Sequence, residues 1–91
     1  MARRLTRQEL ESDGYVHKLR YQMTKSKHFD IFEAPEDVQI KPWCISYYGN
    51  GHYFQSLREC LVYAFARDFI KYYEIERIDN NPQKSYYRGC V

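Results

Sequence analysis

The apolar segment at residues 56–73 constrains the fold of this chain more than any other stretch. It begins with a capping box, in which the Ser56 hydroxyl can accept from the Glu59 amide and the Glu59 carboxylate can accept from the Ser56 amide. After the cap, residues 60–66 are apolar except for the hydroxyl group of Tyr63. Because a helix that is apolar on all sides is normally covered on all sides, we expect this helix to be packed on more than one side.

The first helix-breaking signal after this segment is Asn80-Asn81-Pro82, so we expect one long helix to about Ile78, overhanging the sheet or bending near Tyr72-Tyr73. A helical wheel divides its apolar surface into two stripes. The wide stripe is assigned to the sheet and contains Leu57, Leu61, Phe65, Phe69 and Tyr72. The second stripe is spaced like the anchors of a helix that docks in a groove. Unless the N-terminal helix covers it, we expect it to bind a partner protein or a second copy through Tyr63, Ala66, Ile70 and Tyr73.

The N-terminal part of the chain predicts a short helix over residues 5–14 and then a sheet. Thr6 and Glu9 form a second capping box, and Gly14 is placed for a left-handed C-cap. Three strands follow by alternation of apolar and polar residues, at 15–24, 28–34 and 43–48. Asn50-Gly51 predicts a two-residue hairpin turn that pairs Tyr48 with Tyr53. The expected core positions of these strands are Tyr15, Leu19, Tyr21, Met23, Phe29, Ile31, Trp43, Ile45, Tyr47 and Phe54.

These elements predict an α+β fold with a short N-terminal helix, an antiparallel sheet of three to four strands and a long C-terminal helix packed on one sheet face. Residues 1–81 are expected to form a single compact domain, and residues 82–91 a C-terminal tail that is disordered or docked through Tyr86 and Tyr87.

The charge distribution permits an anionic partner near the N-terminal half. Residues 1–29 hold seven Lys/Arg and three Asp/Glu, a balance of +4, and the remainder holds seven and nine, a balance of −2. Basic groups that alternate with aromatic rings on an open sheet face are typical of nucleic-acid binding. The residues expected on such a face are Lys18, Arg20, Lys25, Lys27, Tyr48 and Tyr53.

Catalytic, cofactor and metal motifs are not found in the sequence, which lacks a zinc-protease HExxH, a CxxC pair, a phosphate loop and a nucleophile elbow. A cluster of His, Lys and Tyr side chains around His28 and His52 could in principle cleave RNA, but we favour a protein without enzymatic activity. Cys44, Cys60 and Cys90 are odd in number and well separated, and no secretory signal or membrane-spanning run precedes them. We therefore expect free thiols, a cytoplasmic location, no enzymatic activity, no cofactor and no metal.

The order of elements resembles that of double-stranded RNA-binding domains, and the 43–69 portion is similar to the sheet-plus-helix modules of AP2-type DNA-binding proteins. The RNA-binding family places a lysine-rich motif at the start of its last helix, where this chain has Ser56-Leu57-Arg58-Glu59-Cys60. We expect a small, non-enzymatic binding module that acts by surface contact, an inhibitor or adaptor of the kind encoded by phage and mobile elements. Nucleic-acid binding through the basic sheet face is the alternative.

Overall fold

A mixed sheet with helices on both faces organises the computed structural model, which describes residues 3–4, 7–80 and 86–87, with side chains described for residues 8–80. Its helices are α1 (Arg7–Ser12), α2 (Leu57–Ala66) and α3 (Tyr72–Asp79). Its strands are β1 (Arg3–Arg4), β2 (Val16–Gln22), β3 (His28–Glu33), β4 (Trp43–Tyr47), β5 (Asn50–Phe54) and β6 (Tyr86–Tyr87). Within these described residues, the strand order is β1-β5-β4-β3-β2-β6. The central strands β2 to β5 are antiparallel, and the predicted α+β class is confirmed.

The strand period of two divides the sheet into a helix face and an α1 face. The helix face carries the main core, in which Ile31 and Ile45 are paired and fully buried beneath α2 and α3. On the α1 face, Phe32 and Cys44 are paired and packed against Leu10 of α1. The first helix therefore lies on the opposite face of the sheet from α2, and it does not cover the outer side of α2.

Helix α1 ends as the sequence predicts. Gly14 has a φ of +89°, its amide donates to the Glu11 carbonyl, and the Tyr15 amide donates to the Leu10 carbonyl at 3.0 Å. This pair of bonds is a Schellman motif, in which a left-handed residue satisfies the last carbonyls of a helix. The predicted cap residue Thr6 lies outside the described residues.

A β-bulge in β2 changes the faces that strict alternation predicts. His17 pairs with Phe32 and Leu19 pairs with Ile31, so Lys18 is an extra residue between two regular pairs. The bulge moves everything before Leu19 onto the other face. Tyr15, expected in the main core, packs instead with the cluster on the α1 face, where its ring is 6.4 Å from that of Tyr53.

The β4–β5 hairpin turns two residues earlier than predicted. Tyr48 and Gly49 both have positive φ, +50° and +78°, as a two-residue type I′ turn requires. Cys44 therefore pairs with Tyr53, and the predicted pairing of Tyr48 with Tyr53 is wrong. The observed register joins five residue pairs between the strands. Because the shift is an even number of residues, the predicted faces of both strands are unchanged.

The expected single long C-terminal helix is wrong, because the chain breaks between α2 and α3. Asp68 has a φ of +67°, its amide donates to the Phe65 carbonyl at 2.9 Å, and the Phe69 amide donates to the Ala64 carbonyl at 2.8 Å. This is a second Schellman motif, with aspartate in the position that glycine usually occupies. The turn buries Ile70 in the main core and places Phe69 against it, which a continuous helix would not do.

Candidate functional site

The outward surface formed by α2 and α3 is rich in exposed apolar and aromatic side chains. Phe65 is 43% exposed and Tyr72 is 60% exposed, and their rings meet edge to face with centroids 5.4 Å apart. Exposed large apolar residues on the described chain are more numerous on these two helices than on any other element. We call this the α2–α3 surface; it consists of Val62, Phe65, Ala66, Tyr72 and Tyr73.

An exposed ion-pair network joins the two helices that form this surface. Arg58 on α2 contacts Glu76 at 2.6 Å and Asp79 at 3.7 Å, both on α3. The Arg58 link lies toward the N-terminal end of α2, and the Phe65–Tyr72 ring contact lies toward its C-terminal end. The two helices are therefore in contact toward both ends of the pair.

The four residues of the predicted partner stripe do not lie on one surface. Ala66 and Tyr73 are exposed on the α2–α3 surface, but Ile70 is 1% exposed and belongs to the main core. Tyr63 is half-buried on the opposite flank of α2, where its ring contacts His52 and Phe54. The prediction of this stripe assumes one uninterrupted helix. The turn at Asp68 breaks that helix and places the four residues on different surfaces.

The stripe that was assigned to the sheet is also divided by that turn. Leu57 and Leu61 are buried against the sheet as expected, and Phe69 packs on Phe29 at 6.1 Å. Phe65 and Tyr72 instead face outward. The buried side of α2 is centred on Leu57, Cys60, Leu61 and Ala64.

A buried carboxylate organises the polar part of the α1 face. Asp30 is 8% exposed and accepts from Arg20 at 2.9 and 3.3 Å, while His17 lies 2.8 Å and His28 3.5 Å from its oxygens. Burial raises the pKa of the Asp30 carboxyl, but the hydrogen bonds to Arg20 and His17 outweigh it and hold the pKa below its ordinary value. The β2 bulge is what brings His17 to this carboxylate.

The expected nucleic-acid residues do not share one surface. Arg20 is bonded to Asp30, and Lys18 lies 3.5 Å from Glu33, so acidic neighbours balance both charges. Lys25 and Lys27 are exposed in the β2–β3 turn.

The two predicted tyrosines of that face are also apart. Tyr48 reaches the β2–β3 turn, with its hydroxyl 3.5 Å from the Ser26 carbonyl. Tyr53 packs beside Tyr15, on the part of the α1 face that lies over Cys44. The exposed basic and aromatic groups therefore meet at the hairpin tips, around Lys25, Lys27 and Tyr48.

The buried thiols are held in their protonated form. Burial raises the pKa of the Cys44 thiol to about 11 and that of Cys60 further still. Neither thiol is placed to act as a nucleophile at neutral pH. Cys90, the third cysteine, lies outside the described residues.

A cleft of about 280 Å³ lies on the helix face, between the β4–β5 hairpin and the C-terminal end of α2. We call it the hairpin cleft. Its walls are four aromatic rings, one aliphatic side chain, an amide and a guanidinium: Ile45, Tyr47, Asn50, His52, Tyr63, Arg67 and Phe69. The sequence alone did not indicate it, because its residues come from the hairpin at 45–52 and the segment at 63–69, which only the fold brings together.

Within the described part of the chain, no three His, Cys, Asp or Glu side chains come together as a metal site. No helix among the described residues has both the length and the apolar character to cross a bilayer. Comparison with known proteins finds no matching family, no matching curated protein and no matching solved structure.

Proposed function

We propose that this protein is a small protein-binding module that acts by surface contact, as an inhibitor or adaptor does, and that the α2–α3 surface is its interface. The observation that carries the proposal is the exposed ring pair of Phe65 and Tyr72. Large aromatic side chains contribute most of the binding free energy at protein interfaces, because they bury much area at a low cost in side-chain entropy.

The rigidity of this surface supports the same proposal. Leu61 of α2 and Ile75 of α3 are both buried in the main core, and this packing holds the two helices in place before any partner arrives. A pre-organised surface loses little conformational entropy on binding. A partner protein with an apolar centre and a polar rim would cover Val62 and the two rings while the Arg58–Glu76 ion pair stays at the margin.

The test is affinity capture from a nuclease-treated lysate with three matched variants. Phe65→Ser and Tyr72→Ser each remove one exposed ring of the interface, and Tyr48→Ser removes an equally exposed ring elsewhere. Truncation of an interface anchor costs about 2 kcal/mol or more, which weakens the affinity for the partner by about thirtyfold or more and lowers its recovery. We expect Tyr48→Ser to recover the partner as the unchanged protein does. Retention of the partner by both Phe65→Ser and Tyr72→Ser would rule out this interface.

Sedimentation velocity distinguishes a second copy from a different protein. A dimer that dissociates in Phe65→Ser assigns the α2–α3 surface to self-association. A monomer that still captures a partner assigns the surface to another protein, whether alone or within a nucleoprotein complex.

Nucleic-acid binding is the second candidate, and the meeting of Lys25, Lys27 and Tyr48 at the hairpin tips favours it. Two exposed lysines beside an exposed ring can contact a phosphate backbone and one unpaired base. Binding of a labelled single strand should then fall steeply with salt and be lost in Lys25→Glu combined with Lys27→Glu. Lys18→Glu is the matched control: Lys18 lies beside Glu33 and away from the tips, so this variant should bind as the unchanged protein does.

A further inference from the structure

The hairpin cleft is walled by two pairs of aromatic rings. Tyr47 and Phe69 have centroids 4.6 Å apart, and His52 and Tyr63 have centroids 4.8 Å apart. The buried side chain of Ile45 lies between these walls at the sheet, since it precedes Tyr47 on the same face and pairs with His52. Such rings offer flat apolar surfaces to a planar ligand, and they stack on any base because every base has a π-face.

Among the described residues that line the cleft, Arg67 carries the one permanent positive charge. The Arg67 guanidinium lies 5.9 Å from the centroid of the Tyr63 ring, and Arg67 is exposed and forms no ion pair with a described residue. Burial, followed by the charge of Arg67, lowers the pKa of His52, so this imidazole is neutral at neutral pH. Asn50 adds an amide with both a donor and an acceptor at the margin.

We propose that the hairpin cleft binds a single nucleotide, with its base against the aromatic walls and its phosphate on Arg67. An arginine beside a ring suits this ligand, because guanidinium binds phosphate oxygens in a bidentate fashion and a base can stack on the ring. The cleft volume of about 280 Å³ is close to the lower end of the range for ligand pockets, roughly 300 Å³, which favours a ligand the size of one nucleotide over a dinucleotide. The nucleotide is either free in solution or an unpaired residue of a single strand.

This site is separate from the α2–α3 surface. Tyr63 lies on the flank of α2 that faces β5, and Phe65 lies on the flank that faces α3. A ligand in the cleft and a protein on the α2–α3 surface can therefore bind at the same time. Failure of either proposal leaves the other standing.

Titration followed by NMR tests the proposal directly, with adenosine 5′-monophosphate and a single-stranded oligoadenylate as the two probes. We expect saturable shifts of the His52 and Tyr63 ring signals, and a higher pKa of His52 in the bound state because the phosphate is anionic. Arg67→Ala should weaken binding by about tenfold or more, since it removes the phosphate contact. Lys71→Ala, which also removes one exposed positive charge, should change affinity by less than about twofold.

The two probes separate the two sources of the ligand. Equal affinity for both probes assigns the site to a free nucleotide, and much tighter, salt-dependent binding of the oligomer assigns it to a single strand. The absence of saturable shifts with both probes at low salt would overturn the proposal. An equal loss of affinity in Lys71→Ala and Arg67→Ala would also overturn it, because the binding would then be non-specific.

Discussion

Substitution of Asp68 tests the separation of α2 from α3, since this residue is where the chain leaves the helix in a left-handed conformation, with a φ of +67°. The left-handed region costs an L-residue roughly 1–2 kcal/mol, and glycine avoids that cost. Glycine in turn loses roughly 0.5–1 kcal/mol more backbone entropy on folding than alanine. Asp68→Gly should therefore be more stable than Asp68→Ala by about 1 kcal/mol.

The comparison of glycine with alanine isolates the backbone, because both variants lose the same aspartate side chain. In one continuous helix the order would reverse, since glycine in a helix interior is roughly 1 kcal/mol less favourable than alanine. Thermal unfolding followed by far-UV circular dichroism measures the difference, and for a domain of this size we expect about 4–8 °C in Tm. An Asp68→Ala protein that is more stable than Asp68→Gly would refute the break. Ala66→Gly, at the last helical residue of α2, is the control and should lower stability, by no more than roughly 0.5–1 kcal/mol.

Three further substitutions or treatments test other parts of the fold. Asp30→Asn should lower stability at pH 7 by about 2 kcal/mol, because Arg20 loses its buried anionic partner. The pKa of Asp30 is lower in the folded protein than in the unfolded chain, so ionised Asp30 stabilises the fold at pH values above the unfolded pKa. This stabilisation is lost as the pH falls below about 4. Urea denaturation should therefore show the free energies of unfolding of the two proteins converging at acidic pH. Gly14→Ala should lower the free energy of unfolding by about 1–2 kcal/mol in the same assay. Gly14 has a φ of +89°, and a Cβ at this position would lie 2.9 Å from a ring carbon of Pro35. A thiol reagent at pH 8 should label Cys44 and Cys60 only after unfolding, as peptide mass spectrometry can show, because burial keeps both thiols protonated.

The sheet could be predicted from the sequence because the side-chain period of a strand is short and unambiguous. Trp43, Ile45 and Phe54 were assigned to the core side, and that assignment is correct even though the hairpin register was wrong. A shift by an even number of residues preserves the faces. The position of the turn could not be predicted from the pattern. The observed turn places Tyr48 in a left-handed conformation, and no sequence signal for this is as strong as Asn-Gly.

The break between the helices could not be predicted from local sequence. A glycine at the position of Asp68 would have indicated a C-cap, as Gly14 correctly did for α1. Aspartate tolerates the left-handed conformation but is also found within helices. The conformation is selected by tertiary packing, because the turn allows Phe69 to pack on Phe29 and buries Ile70. The error in the partner stripe follows from that one missed turn.

The candidate sites depend on distances between segments that are remote in sequence. The ring of Tyr63 meets that of His52 across the helix–sheet interface, and Phe65 meets Tyr72 across the turn. The carboxylate of Asp30 reaches His17 only because a bulge rotates β2. Single-sequence periodicity carries no information on these contacts.

The central claim is that the α2–α3 surface is a protein interface. Site-specific photo-crosslinking tests this claim most directly. A benzoylphenylalanine placed at position 72 reports on contacts of that surface, and one placed at position 48 is the matched control, since Tyr72 and Tyr48 are about equally exposed. We expect position 72 to give a discrete protein adduct that disappears when Phe65→Ser is added, and position 48 to give none of the same mass. An adduct of that mass from position 48, or no protein adduct from position 72, would contradict the claim.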